Sequence, residues 1–80
     1  MTEVRVESAH VLWVKFRDGI TGRVRFDPSF FVGVFAPVKA PDRFEQVFID
    51  RGALSWPGDL NLAPDAMYQE ILNAGEWTLN

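Results

Sequence analysis

Side-chain catalysis needs a nucleophile with a base, a set of metal ligands, or a matched pair of carboxylates. This sequence is poor in most of these. It holds one histidine, His10, no cysteine, and serine only at Ser8, Ser29 and Ser55. Without cysteine, a metal site needs His10 plus carboxylates, and no His/Asp/Glu pair sits at ligand spacing on a helix. A hydroxyl nucleophile needs an adjacent base. Only Ser8 neighbours the histidine, and no strand-to-helix elbow motif surrounds it. The glycines at 19, 22, 33, 52, 58 and 75 never form a phosphate-cradling loop ahead of a helix. Asp59 and Asp65 could act as acid and base if brought together. A loop turn and a helix N-terminus are the plainer roles for them. The residues thus predict no catalytic group, no cofactor and no metal, and a protein that is not an enzyme.

Binding chemistry has more to work with. Trp13, Lys15, Arg23 and Arg25 fall in alternating segments, and arginines interleaved with an aromatic can dock phosphate or carboxylate. The plainer alternative is a solvated sheet face on which guanidinium groups stack on the indole. Phe30, Phe31 and Phe35 form a second candidate, either a docking patch with Phe31 and Phe35 as contacts or part of the core. The charge is uneven. Residues 1–51 carry all eight basic groups against seven acidic ones, whereas residues 52–80 carry four acidic groups and no basic one. The net charge of −3 and a pI near 4.9 disfavour general nucleic-acid binding. A polarised surface suits a charged protein partner at least as well.

Composition narrows the class. With 80 residues, 48% hydrophobic and 14% aromatic, the chain is one small globular domain spanning residues 1–80, not a disordered tail. A disulfide scaffold and a zinc ribbon are excluded with cysteine. Met1-Thr2-Glu3-Val4-Arg5 alternates charged and apolar residues, unlike a signal peptide, and no apolar run approaches the ~20 residues of a membrane span. A cytoplasmic protein is expected.

The elements that must position these residues follow from periodicity. Val4 and Val6, then Leu12, Val14 and Phe16, then Val24 and Phe26 alternate with polar neighbours, which predicts a three-stranded antiparallel meander. Matching apolar faces pairs Val4 with Val14 and Val6 with Leu12, around Ser8-Ala9-His10. The same demand pairs Val14 with Val24 and Leu12 with Phe26, through an Asp18-Gly19-Ile20 loop. Glu3 then faces Lys15, Lys15 faces Arg23, and Arg5 and Arg25 flank Trp13.

Asp27-Pro28 predicts a short central helix ending near Gly33, with Val34, Phe35 and Val38 turned inward and an irregular passage from Pro37 to Pro41. An Arg51-Gly52 turn predicts a second hairpin that pairs Ile49 with Leu54 and Val47 with Trp56, and Pro57 stops it. Pro64-Asp65 opens a C-terminal helix with Tyr68, Ile71 and Leu72 on one stripe and Gly75 past its end. Trp77 and Leu79 fold back onto the body. The fold class is α+β: a meander, a second β-hairpin, a short central helix and one C-terminal helix packed on the sheet. Periodicity leaves open whether the hairpin joins the first sheet.

The run Trp56-Pro57-Gly58-Asp59-Leu60-Asn61-Leu62-Ala63-Pro64-Asp65-Ala66-Met67-Tyr68 resembles the C-terminal signature of a bacterial family known as domain of unknown function 2442. Its members typically read Trp-Pro-Asn-Gly-Ala-Asp-Leu-Ala-Pro-Asp, any residue, Leu-Tyr. Similar spacing runs from Val14 to Gly22, through Phe35 and Pro37, to Phe44 and Val47. Departures are Gly58-Asp59 for Asn-Gly, Asn61 for Asp and Met67 for Leu. The first suggests an altered turn; the loss of the acid at Asn61 weakens any metal or acid–base role. Trp56, Pro57, Asp59, Pro64, Asp65 and Tyr68 then read as a structural signature.

The resemblance implies a small α+β protein with no assigned activity, often encoded beside another small protein in a toxin–antitoxin-like arrangement. Some members carry a helix-turn-helix; residues 1–80 contain none, so DNA binding would need the sheet itself. The reading is a protein-interaction module, the antitoxin-like member of a pair. The alternatives are a nucleic-acid-associated regulator using Trp13, Arg23 and Arg25, and a small-ligand binder or enzyme at the 59–65 loop. A homodimer would help a core this small.

Overall fold

In a computed structural model describing residues 1–80, the alternating segments form strands β1 (Glu3–Ser8), β2 (Val11–Lys15) and β3 (Thr21–Phe26). Two 3-10 segments follow, Pro28–Phe30 and Gly33–Lys39, then a one-turn helix α1 (Pro41–Phe44). The second half holds β4 (Phe48–Asp50), β5 (Ala53–Trp56), β6 (Leu60–Asn61), α2 (Pro64–Ala74) and β7 (Glu76–Leu79). The strands form two sheets, ordered β1-β2-β3-β7 and β4-β5-β6. The fold is α+β, and the second hairpin has its own sheet.

The first pairing matches expectation: Glu3 faces Lys15, Val4 faces Val14, Arg5 faces Trp13 and Val6 faces Leu12, with a bulge before Ser8. The second is displaced by two residues. Leu12 faces Val24, Trp13 faces Arg23, Val11 faces Arg25 and Val14 faces Gly22. Thus Lys15 lies opposite Thr21, not Arg23, and Leu12 does not meet Phe26. The loop is Arg17-Asp18-Gly19: Phe16 N–H donates to the Ile20 carbonyl at 2.8 Å, and Gly19 turns the chain at φ 91°. Face matching preserves the parity of a register, not its value. On the β3 side Val14 has no side chain opposite it, and Ile71 of α2 fills the space over Gly22.

Asp27 caps the first 3-10 turn, its carboxylate accepting from Ser29 N–H at 3.0 Å. In the Gly33–Lys39 segment side chains three apart share a face. Val38 is buried and Phe35 half-buried, while Val34, expected inward, is 71% exposed. The turn Arg51-Gly52 has positive φ at both residues, and Ile49 faces Leu54 as anticipated. Val47 does not reach the ladder opposite Trp56; its N–H closes a turn onto the Phe44 carbonyl instead.

Helix α2 starts at Pro64 and ends on Gly75, left-handed at φ 79°. Its inward residues are Met67 and Ile71, with Tyr68 half-buried; Leu72, expected on that stripe, is 50% exposed. Trp77 and Leu79 return in β7, which pairs in parallel with β3. One cluster of buried side chains joins both sheets, centred on Leu12, Val14, Val24, Phe26, Phe44 and Trp56. Phe26 meets Phe44 and Trp56 edge-on, at centroid separations of 5.3 and 5.9 Å. No helix is long and apolar enough to cross a membrane.

Candidate functional site

The outer face of the first sheet collects Trp13, Lys15, Arg23 and Arg25. Arg5 lies over the Trp13 ring, 4.8 Å from its centroid. Each arginine of this face also holds a carboxylate: Arg5 holds Glu3, Arg23 holds Glu7 at 2.5 Å, and Arg25 holds Glu76 at 2.9 Å. Glu7 raises the Arg23 pKa by hydrogen bond and charge. Lys15 is exposed and joins no ion pair. Three of the basic groups on this face are thus each matched by a carboxylate.

The Phe-rich segment divides differently. Phe31 is 6% exposed, within the core, where it stacks with Phe26 and meets His10 at 4.7 Å. Phe35 is half-buried and meets Trp56 edge-on at 6.2 Å. His10 sits in the β1–β2 turn at φ 58°, against Phe31 and Phe44, with Nε2 2.9 Å from the Lys39 carbonyl. It ties that turn to the 3-10 segment. Residues 31 and 35 are therefore anchors, and the exposed apolar surface falls on their neighbours Val32 and Val34, at 67% and 71% exposure. A period of three exposes this in the sequence: if Phe35 and Val38 point in, Val34 and Pro37 share another face.

That face meets the signature hairpin. Val34, Pro37 and Val38 line one side of a groove of about 340 Å³, and Trp56, Pro57 and Leu60 line the other. Arg43 and Gln46 add the polar lining, and Arg43 joins no ion pair. The hairpin is built to hold this wall. Trp56 faces Leu60, and Trp56 Nε1–H donates to the Phe44 carbonyl at 3.1 Å inside the core. Between them Gly58 and Asp59 both adopt positive φ, 99° and 62°. Glycine takes such a φ freely and aspartate is among the few other residues that tolerate it, so Gly58-Asp59 can form this turn.

Asn61 is a structural acceptor. It lies opposite Ser55, and the buried Ser55 hydroxyl donates to its Oδ1 at 2.6 Å. An aspartate there could accept the same bond. Asp59 and Asp65 line no common cavity: Asp65 borders a concavity shared with Arg17, Asp18, Arg51 and Tyr68, and Asp59 stays in its turn. Pro64 and Asp65 begin α2, the role expected of them. No three His, Asp or Glu side chains gather closely enough to hold a metal ion.

Tyr68 has a specific structural task. Its hydroxyl donates to Asp18 Oδ2 at 2.5 Å, latching α2 to the β2–β3 loop. The bond from Tyr68, then that from Ile20 N–H, holds the Asp18 pKa below its ordinary 3.8; the same Tyr68–Asp18 bond holds the tyrosine above its ordinary 10.0. The Asp18 contribution is therefore full above its unfolded pKa and lost as pH falls through the lowered folded value. The Tyr68 contribution is full below its unfolded pKa and lost as pH rises through the raised folded value. Urea titration across pH should show wild type exceeding Tyr68→Phe between about pH 4 and pH 10, with the gap narrowing beyond either end. A gap independent of pH would show that the latch carries none of it.

A model of the family described as Protein of unknown function (DUF2442) matches residues 1–73, a stretch holding every strand but β7, both walls of the groove and the whole signature. No curated protein and no solved structure matches the chain. Since that match spans nearly all of its 80 residues, the chain belongs to the DUF2442 family of proteins of unknown function.

Proposed function

We propose that this chain is a non-enzymatic protein-interaction module, the antitoxin-like member of a two-protein pair, which docks its partner at the groove between Val34 and the Trp56–Leu60 hairpin. The observation that carries the reading is Val34. A valine 71% exposed stands at the rim of an apolar groove whose opposite wall is the family signature, in a chain with few residues to build a core. The unpaired Arg43 suits an acidic group on the partner. The three paired arginines of the sheet face count against the nucleic-acid alternative.

The test is co-expression with the product of the adjacent gene, followed by co-purification. Wild type should bring down the neighbour and relieve any growth defect it causes. Val34→Glu should abolish both while leaving circular dichroism and urea midpoint unchanged, because Val34 has little native burial to lose. Absence of a wild-type complex, or a complex indifferent to Val34→Glu, would overturn the reading.

A further inference from the structure

The first sheet ends on β7, which has a neighbouring strand on one side only. Along a strand the N–H and C=O of each residue point to one side, and that side alternates. The Gly75 carbonyl accepts from Arg23 N–H at 3.2 Å and the Leu79 carbonyl accepts from Asp27 N–H at 2.8 Å. Residues 75, 77 and 79 therefore direct their backbone groups to β3. Glu76, Thr78 and Asn80 turn theirs away from the sheet.

Folded proteins usually blunt such an edge with short length, a bulge, proline or charge. The other sheet edges here follow that rule. Strand β1 is bulged before Ser8 and carries Glu3, Arg5 and Glu7, while β4 and β6 are three and two residues long. The β7 sequence, Glu76-Trp77-Thr78-Leu79, has no proline, glycine or lysine, and its register is unbroken. Its one charge, Glu76, is already held by Arg25.

The edge is also complementary to itself. Trp77 and Leu79 lie opposite Val24 and Phe26, on the core side; Glu76 and Thr78 lie opposite Arg23 and Arg25, on the outer side. An antiparallel pairing must set like faces together. Centred on Thr78, it places Thr78 against Thr78 of a second copy, Trp77 against its Leu79 and Glu76 against its Asn80. In that register the outward groups of residues 76, 78 and 80 are the ones that meet. The Thr78 pair exchanges both backbone hydrogen bonds, Trp77 and Leu79 give an aromatic–aliphatic cross-strand contact, and no two side chains of like charge face each other.

We infer that two copies of this chain associate through antiparallel pairing of β7 with β7, about a two-fold axis at Thr78, joining two four-stranded sheets into one of eight strands. The half-buried Trp77 and Leu79 gain cover in that arrangement. Unlike the partner surface at Val34, this interface needs no second protein, so the purified chain alone tests it.

Sedimentation equilibrium at millimolar chain concentration should give twice the monomer mass. Thr78→Lys sets two ammonium groups against each other at the axis and should halve that mass without moving the urea midpoint extrapolated to low concentration, since residue 78 gives no backbone bond to β3. In the naturally cysteine-free chain, Thr78→Cys should give a disulfide-linked dimer on mild oxidation. The expected Cα separation of a hydrogen-bonded antiparallel pair, about 5.5 Å, lies within disulfide range. Ala36→Cys, exposed and far from β7 in the chain, should remain unlinked. A wild-type monomer at these concentrations, a dimer that survives Thr78→Lys, or equal crosslinking of both cysteine variants would each overturn the inference.

Discussion

Trp56→Ala is expected to lower the free energy of unfolding by about 3–5 kcal/mol, the range for truncating a buried tryptophan. The indole is 2% exposed, meets Phe26, Phe35 and Phe44, and donates Nε1–H to the Phe44 carbonyl. Truncation opens a cavity among three aromatic rings and also removes one of the two hydrogen bonds that carbonyl accepts, leaving it only the one from Val47 N–H. A domain of this size has about 5–15 kcal/mol of stability in total. At about 4–8 °C per kcal/mol the melting temperature should fall by at least ~12 °C. Trp56→Phe separates the two losses. It refills much of the space but cannot donate, and should cost roughly 1–2 kcal/mol for the one hydrogen bond lost and the smaller ring. Urea unfolding of the three chains checks the order. Equal midpoints for Trp56→Ala and wild type would mean that the signature tryptophan is not a core member.

The effect bears on function because the same indole forms a wall of the proposed docking groove. A Trp56 variant that loses its partner cannot distinguish a lost contact from a lost fold. Val34, which is mostly solvent-exposed, can. This asymmetry explains what the sequence revealed of the site and what it hid. Trp56, Pro57 and Pro64 are legible by type, because an aromatic next to a proline and a proline before a helical stripe have few local solutions. Val34 is not, because a valine in an apolar run reads as core unless the local period is known. The segment follows a three-residue period, in a stretch beyond the Gly33 at which the helix was expected to end.

The sheet shows the same division. The β1–β2 register could be read because four consecutive pairs had to agree in hydrophobicity and charge. So could the Arg51-Gly52 turn, whose two positive φ values set the hairpin register by themselves. The β2–β3 register could not. Its deciding residue, Gly22, has no side chain, and what occupies the vacant space comes from Ile71, almost fifty residues later. Strand β7 was hidden for a related reason. Its pairing with β3 is parallel and non-local, set by the path of α2 rather than by any turn. Local chemistry reaches hairpins; it does not reach crossovers.

Gly22→Ala tests that crossover most directly. Elsewhere, replacing glycine with alanine at a compatible backbone position stabilises a protein by about 0.4–1 kcal/mol, since the unfolded chain has less freedom to lose. Gly22 does not lie at positive φ, so its backbone would accept alanine. The added methyl would not fit: its carbon would stand 2.5 Å from Ile71 Cγ2 and 2.7 Å from the Gly75 carbonyl oxygen. One of these is a buried side chain and the other is backbone. Relief therefore requires α2 to move away from β3, straining the Arg23–Gly75 hydrogen bond that leads into β7. The expected sign is reversed, to a destabilisation at or above the roughly 1–3 kcal/mol usual for overpacking. Ile71→Ala alone should cost about 2–5 kcal/mol through the cavity it leaves. In the double variant the Ile71 clash is gone and only the carbonyl clash persists, so the combined loss should fall short of the sum by about 1 kcal/mol or more. Additive losses would mean that the glycine is not there to admit the helix, and Gly22→Ala with unchanged stability would displace α2 from its assigned place on the sheet.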